Sequence, residues 1–309
     1  MSKLFEYVSY LNVSLSSGSD RDYLYANERN QVALIIDFVV TDINYNQIIL
    51  TKEQILQCVF VGDYHTGKFF SQNNLSDGWI YSDEPGEFIT ASIQHLECKE
   101  ALTSEQNSQL QHQTITYYMG CKEYEVFSRT FCAFLTPDNF DTYFTTGLGT
   151  QFDSGVTITP RPPISYDYTD LDFERVDDSS ADYGNHHVDQ DDYYASIPSI
   201  DIKKTVYSVY TQANYYLMDI AESEYRQYCY NVGPEGTYDI ILEDKTRIPL
   251  VYNKRAGKLN LIRLSISSAT ASYLRDDKCY ISIFDIYGNR GYLHFYPTEN
   301  GNRIEMENA

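Results

Sequence analysis

Tyrosine is the residue that most constrains this chain: 30 of its 309 residues are tyrosine, against a single tryptophan. A tyrosine ring suits a pleated surface that is half buried, and its hydroxyl needs either water or a partner, so an excess of it favours strands over helices. Val, Ile and Thr surround these tyrosines, and short turns separate the runs. The pattern predicts an all-β protein of tandem β-sandwich modules, immunoglobulin-like in proportion, with minor helix. Because a single sandwich takes roughly 100 residues, this length predicts three modules.

The first module is expected over residues 1–102. Gln31 to Val40 is an apolar run broken only by Asp37, Asp42 to Asn46 is a turn cluster, and Gln47 to Leu50 is a returning strand. That is the form of a buried hairpin. Thr51 with Gln54 three residues on makes a capping box, so one helical turn interrupts the sheet before Cys58 to Val61 resumes it.

A central immunoglobulin-like module is expected over 103–165, extending to 199 if the acidic stretch belongs to it. The polar segment Thr103 to Gln113 reads as its solvated connection. Thr114 to Met119 and Glu123 to Leu135 read as a hairpin about Gly120, and Val156 to Thr159 closes the block before Pro160, Pro162 and Pro163. From Tyr166 to Asp192 there are ten carboxylates (Asp167, Asp170, Asp172, Glu174, Asp177, Asp178, Asp182, Asp189, Asp191 and Asp192) against Arg175 alone, so 166–194 is expected to be a solvated linker or loop. A third sandwich is expected over 200–309, with strands at Tyr238–Leu242, Leu259–Ile266, Cys279–Phe284 and Gly291–Tyr296, a turn at Gly288–Asn289, and a weak helical pattern at Tyr216–Tyr228. The expected core includes Val32, Leu34, Ile36, Val39, Ile49, Phe134, Ile241, Leu261, Ile281 and Ile283.

Charge narrows the partners. With 44 acidic and 23 basic residues the net charge is −21, and the densest basic stretch is only Lys254, Arg255 and Lys258. Nucleic acid and anionic membranes are excluded as partners by repulsion. The N-terminus alternates like a strand and lacks the apolar core of a secretory signal, and no run reaches the length of a membrane span. The expectation is a chain synthesised in the cytoplasm, any export following a route without a recognisable signal peptide. Cys58, Cys98, Cys121, Cys132, Cys229 and Cys279 form no CxxC pair and are expected to be reduced.

No catalytic motif emerges. The Gly-x-Ser-x-Gly elbow, the catalytic-cysteine signatures and the phosphate-binding glycine loops are absent, and His65-Thr66-Gly67-Lys68 reads as a β-turn. The chain is read as non-enzymatic, with no cofactor. Calcium is the one ion the acidic stretch suggests, with Asp189, Asp191 and Asp192 beside His186 and His187 as weak candidate ligands; a solvated linker is the stronger reading. Candidate contact residues are Trp79 and the tyrosine pairs Tyr117–Tyr118, Tyr193–Tyr194 and Tyr215–Tyr216, with Tyr207 and Tyr210 as a further cluster. In each adjacent pair one ring falls on each face of a strand, and only one can enter the core. The function expected is binding or self-assembly through tyrosine-rich β surfaces, with protein, a second copy included, as partner. The rival readings are a secreted or injected bacterial toxin recognising a host surface, and a carbohydrate-binding or carbohydrate-active protein.

Several segments together, Asn27 to Val32, Leu50 to Gln54, Gly78-Trp79 with Glu87-Phe88, Phe131 to Asn139, and Phe284 to Asn289, resemble a group of multi-module β proteins of gamma-proteobacteria. The resemblance implies repeated β modules over most of the chain and brings no activity and no site residue with it.

Overall fold

The computed structural model describes residues 3–70, 78–90, 110–123, 125–138, 142–207, 215–221, 224–231, 236–242, 244–252, 255–267, 279–299 and 302–309, with backbone alone at 177–178, 207, 215–221, 224–231, 238 and 252. The chain is all-β and divides into two compact units, Met1–Pro163 and Ile164–Ala309. Among the described residues no helix is long and apolar enough to cross a membrane.

The first unit contains β1 (Tyr7–Leu15), β2 (Arg21–Tyr25), β3 (Val32–Thr41), β4 (Gln47–Ile48), α1 (Lys52–Cys58), β5 (Val59–Asp63), β6 (Trp79–Ser82), β7 (Gln113–Cys121), β8 (Arg129–Leu135), β9 (Phe144–Thr145) and β10 (Val156–Arg161). One sheet runs β1-β3-β7-β6 with β4 beside β3; the other runs β2-β10-β8-β5 with β9 beside β8. Alternation along β3 sends Leu34, Ile36, Phe38 and Val40 into a core shared with Leu24, Val61, Phe131, Ala133 and Ile158 of the other sheet. The capping box at Thr51 and Gln54 forms as the sequence predicts and starts α1. Asp42 closes the turn after β3 by accepting from the Asn44 and Asn46 amides. In the turn after β5, Asp63 accepts from the His65 and Thr66 amides, so this segment is an Asx-type turn.

The second unit contains β11 (Ser165–Tyr166), a 3-10 turn (Tyr168–Asp170), β12 (Asp172–Tyr183), β13 (His186–Ser196), β14 (Ile202–Tyr207), β15 (Tyr215–Ala221), β16 (Glu224–Asn231), β17 (Gly236–Ile241), β18 (Arg247–Tyr252), β19 (Leu259–Ser267), β20 (Cys279–Asp285), β21 (Arg290–Thr298) and β22 (Arg303–Asn308). A central sheet, β12-β13-β19-β16-β15, is covered on one face by a second sheet, β11-β21-β20-β14 with β22 beside β21. Tyr193, Leu261, Ile281, Ile283, Leu293 and Phe295 fill that interface. The other face carries the β17–β18 hairpin, whose Ile240, Ile248 and Leu250 pack on Val188, Ile262, Leu264 and Ile266. Asp285 ends β20 as a buried hub: its carboxylate accepts from the Tyr287 and Asn289 amides, the Asn289 side chain and the Tyr166 hydroxyl. These bonds hold the turn in which Gly288 takes φ +80°.

Several expectations are corrected. A boundary after residue 102 is not seen, because β7 pairs with β3 in register from Val32↔Met119 to Phe38↔Gln113, and the chain divides instead after Pro163. Nor do β7 and β8 form a hairpin, since each belongs to a different sheet of the sandwich. Pro160 lies inside β10 rather than ending it; there β10 pairs in parallel with β2, while its pairing with β8 stops at Ile158. The expected linker is strand: Asp172–Ser196 forms the long β12–β13 hairpin. The helical pattern at Tyr216–Tyr228 is the β15–β16 hairpin. Of the expected core, Ile49 and Ile241 are exposed at 53% and 60%. β4 ends before Ile49, and in β17 the inward residue is Ile240, opposite Ile248; strand alternation turns a one-residue offset into the opposite face. Cys58, Cys121, Cys132 and Cys279 are buried free thiols, while the Cys98 and Cys229 side chains lie outside the described residues. Burial pushes the Cys58, Cys121 and Cys132 thiols up to about 12, so they stay protonated and unreactive.

Replacing Ile36 or Ile283, both fully buried, by Ala is expected to cost about 2–5 kcal/mol in denaturant unfolding. The same change at Ile49 or Ile241 should fall within roughly 1 kcal/mol.

Candidate binding surface

The acidic hairpin becomes a strand pair because an arginine lies across from it. Asp191 of β13 stands opposite Arg263 of β19. Both side chains are 1% exposed, and Arg263 Nε donates to Asp191 Oδ2. Arg175 of β12 donates to the same oxygen at 3.0 Å, and Arg263 Nη2 donates to Asp189 Oδ2. Charge thus alternates Arg175, Asp191, Arg263, Asp189 across three strands, with only the two outer members substantially exposed. Asp192, on the opposite face, accepts from the Gln190 amide and the Tyr194 hydroxyl at 3.3 and 3.2 Å. The expected calcium ligands are therefore not gathered into one cage: Asp189 and Asp191 bind arginine and Asp192 points away from them. Among the described residues no group of three or more His, Cys, Asp or Glu side chains is arranged to hold a metal ion.

The histidines expected beside those carboxylates also separate. His187 is exposed and meets Asp182, whereas His186 is buried between two acceptors, the Ser267 carbonyl at 3.0 Å and Asp244 at 2.9 Å. The Ser267 carbonyl and then Asp244 raise the His186 pKa. The Thr246 amide and His186 bring the Asp244 carboxyl down to about 2. The contact fastens β13 and the end of β19 to the β17–β18 turn.

The expected contact tyrosines are mostly core. Trp79 is 1% exposed and meets Phe131 edge-on at 4.9 Å. Tyr117 is fully buried, its hydroxyl donating to the Val59 carbonyl, and burial raises its pKa; Tyr118 is half buried. Tyr193 and Tyr194 are both buried, because β13 is covered on both faces, and Arg255 lies 4.3 Å over the Tyr194 ring. The side chains of Tyr207, Tyr210, Tyr215 and Tyr216 lie outside the described residues.

The aromatic surface lies elsewhere, on the outer face of β20 and β21. Tyr292, His294 and Tyr296 alternate along β21, and Tyr280 of β20 stands opposite His294. Tyr280 stacks on Tyr292 at 6.0 Å and on His294 at 4.7 Å, and His294 meets Tyr296 at 5.2 Å. Arg290 lies 5.2 Å over the Tyr292 ring and donates to Ser282, while Glu307 holds His294 Nδ1 at 2.8 Å. The result is a rigid column of rings with a guanidinium at one end and a carboxylate along one side. Its signal in the sequence was the alternation Tyr292-x-His294-x-Tyr296, which is weaker to the eye than a run of adjacent tyrosines. In the first unit a smaller exposed pair, Tyr7 stacked on Tyr45 at 5.0 Å, uses the β-bulge between Val8 and Tyr10 to leave Tyr10 exposed as well.

No protein-family model matches the chain, and no curated protein matches it. Solved structures similar to it include the C-terminal domain of the antigen I/II polypeptide BspA of Streptococcus agalactiae, at 11% identity and TM-score 0.24 over 91% of this chain and 97% of that one. The C-terminal domain of the antigen I/II-family protein AspA of Streptococcus pyogenes is similar at 8% identity and TM-score 0.24, over 92% of this chain and 97% of that one. TM-scores at this level carry no argument about topology or function.

Arg263→Gln is expected to cost about 3–5 kcal/mol by breaking the buried pair with Asp191, and Asp191→Leu with Arg263→Met to recover most of it, since a buried pair is often replaceable by apolar residues. A second expectation concerns pH. A raised histidine pKa contributes stability that is full below the ordinary value of about 6.5 and is lost as pH rises through the folded value. A lowered carboxyl contributes above about 4 and loses its share as pH falls toward 2. The His186–Asp244 contact is therefore worth most between about pH 4 and 6.5, and His186→Gln should flatten the decline of Tm on the alkaline side of that window.

Proposed function

We propose that this chain is a non-enzymatic contact protein, and that the outer face of β20 and β21 is its main binding surface for another protein. The observation that carries this reading is the aromatic column of Tyr292, Tyr280, His294 and Tyr296 with Arg290 beside it. Tyrosine and arginine are the residues that protein interfaces concentrate, and rings already locked by mutual stacking lose little entropy when a partner arrives. Stacking turns the ring faces toward one another, His294 at the centre is buried, and Tyr292 is the exposed ring of the column. That arrangement supports a protein partner over a carbohydrate, which needs open ring faces.

The net charge of −21 opposes association between copies at low ionic strength. If the partner is a second copy, the mass measured by light scattering should grow with protein concentration and grow further with salt, and Tyr292→Ala should weaken association by about tenfold or more. Constant monomer mass would point to a different protein. Turnover of any substrate in a hydrolase panel, abolished by one Asp or Glu substitution, would overturn the non-enzymatic reading.

A further inference from the structure

In the second unit, β12 pairs only with β13 and β22 only with β21 among the described residues, so each is an edge strand of its sheet. Between these edges and the 3-10 turn lies a cavity of about 390 Å³. That is the size of a small-ligand site. Its walls are about equally polar and apolar, the apolar part coming from Leu171, Phe173, Ile304 and Met306.

Of two donors at this cavity, the Tyr193 hydroxyl lacks an acceptor and Arg303 has ion pairs longer than a hydrogen bond. Tyr193, in its wall, is 1% exposed, and its hydroxyl is buried with no hydrogen-bond partner among the described residues. A buried hydroxyl left this way costs about 1–3 kcal/mol. Burial raises its pKa, so it remains a donor at neutral pH; the nearby Ile304 backbone acts the other way, more weakly, and does not complete a hydrogen bond. Arg303 stands on the rim, and its nearest carboxylates, Glu299 and Glu305, are 4.0 and 3.9 Å away, beyond hydrogen-bond distance. A guanidinium offers five N–H donors in a planar fork that fits a carboxylate. The rim carries the guanidiniums of Arg303 and Arg175 and the carboxylate of Glu305; Arg175 is paired with Asp191, and Glu305 lies 3.9 Å from Arg303 and 3.5 Å from the Tyr296 hydroxyl.

We propose that this cavity binds a carboxylate carried on one aromatic or branched-aliphatic group, with Arg303 and Tyr193 donating to the carboxylate and Phe173, Leu171, Ile304 and Met306 enclosing the body. The site adjoins the outer-face column, which Glu305 meets at Tyr296, but its ligand chemistry does not depend on the contact function. A free organic acid and the C-terminal carboxylate of a partner peptide share this chemistry.

The test uses the whole chain in ligand-observed NMR and calorimetric titration. The probes are 3-phenylpropionate, the uncharged 3-phenylpropanol, and a short peptide ending in phenylalanine as its free acid or its amide. The expected result is saturable binding of at least one carboxylate probe with roughly tenfold loss in its uncharged counterpart and in Arg303→Gln. Tyr193→Phe should weaken binding several-fold without lowering Tm, because the hydroxyl it removes has no partner to lose. Tighter binding of 3-phenylpropionate than of the peptide acid assigns the site to a free acid, and the reverse order assigns it to a chain terminus. Absence of saturable binding by both carboxylates, equal binding of acid and uncharged probe, or an unchanged Kd in Arg303→Gln would overturn the proposal.

Discussion

The second unit depends on Arg263. Eight carboxylates fall from Asp172 to Asp192, and a sheet that buries such a segment must neutralise whichever charges its faces enclose. Arg263 meets that requirement at the most enclosed point, bonding Asp191 across the strands and reaching Asp189 at the same time. Arg175 bonds Asp191 from the other side, so an interior carboxylate has a guanidinium on both flanks. The ladder runs across β12, β13 and β19, which lets the acidic hairpin enter the central sheet instead of extending into solvent. The two layers covering that sheet are then positioned by apolar packing on either side.

Tyrosine has two separate roles. In the core its hydroxyl is carried to a backbone acceptor, as Tyr117 does at Val59 and Tyr81 at Phe70. The ring then contributes apolar area without stranding a polar group. On the outer face of β20 and β21 the rings pack on one another by stacking, and the neighbouring Arg290 and Glu307 give the column opposite charges at different points. Tyr193 belongs fully to neither role, being core by burial and unsatisfied by hydrogen bonding. That contrast with the other core tyrosines is what makes the cavity beside it distinctive.

Local patterns proved legible where their physics is local. The capping box at Thr51 and Gln54, the turns at Asp42 and Asp285, and the alternation that buries Leu34, Ile36, Ile281 and Ile283 are each complete within a few residues. The candidate surface was read less well. Adjacent tyrosines drew attention because they are conspicuous in the chain, but whether the second ring of a pair is exposed depends on whether the strand is covered on one face or both. Tyr118 is half buried and Tyr194 is buried.

The sequence by itself determined the all-β class, the turn and cap positions, and the inward residues of the clearest strands, because strand period, capping and turn chemistry act between near neighbours. Only the tertiary structure decided that the acidic stretch is sheet, since Arg263 lies 72 residues beyond Asp191. It also decided that β7 and β8 belong to different sheets and that Tyr280 joins the rings of β21 in one column. Each of these is a pairing between distant segments, fixed by burial and register across strands rather than by any property of the residues that lie next to one another.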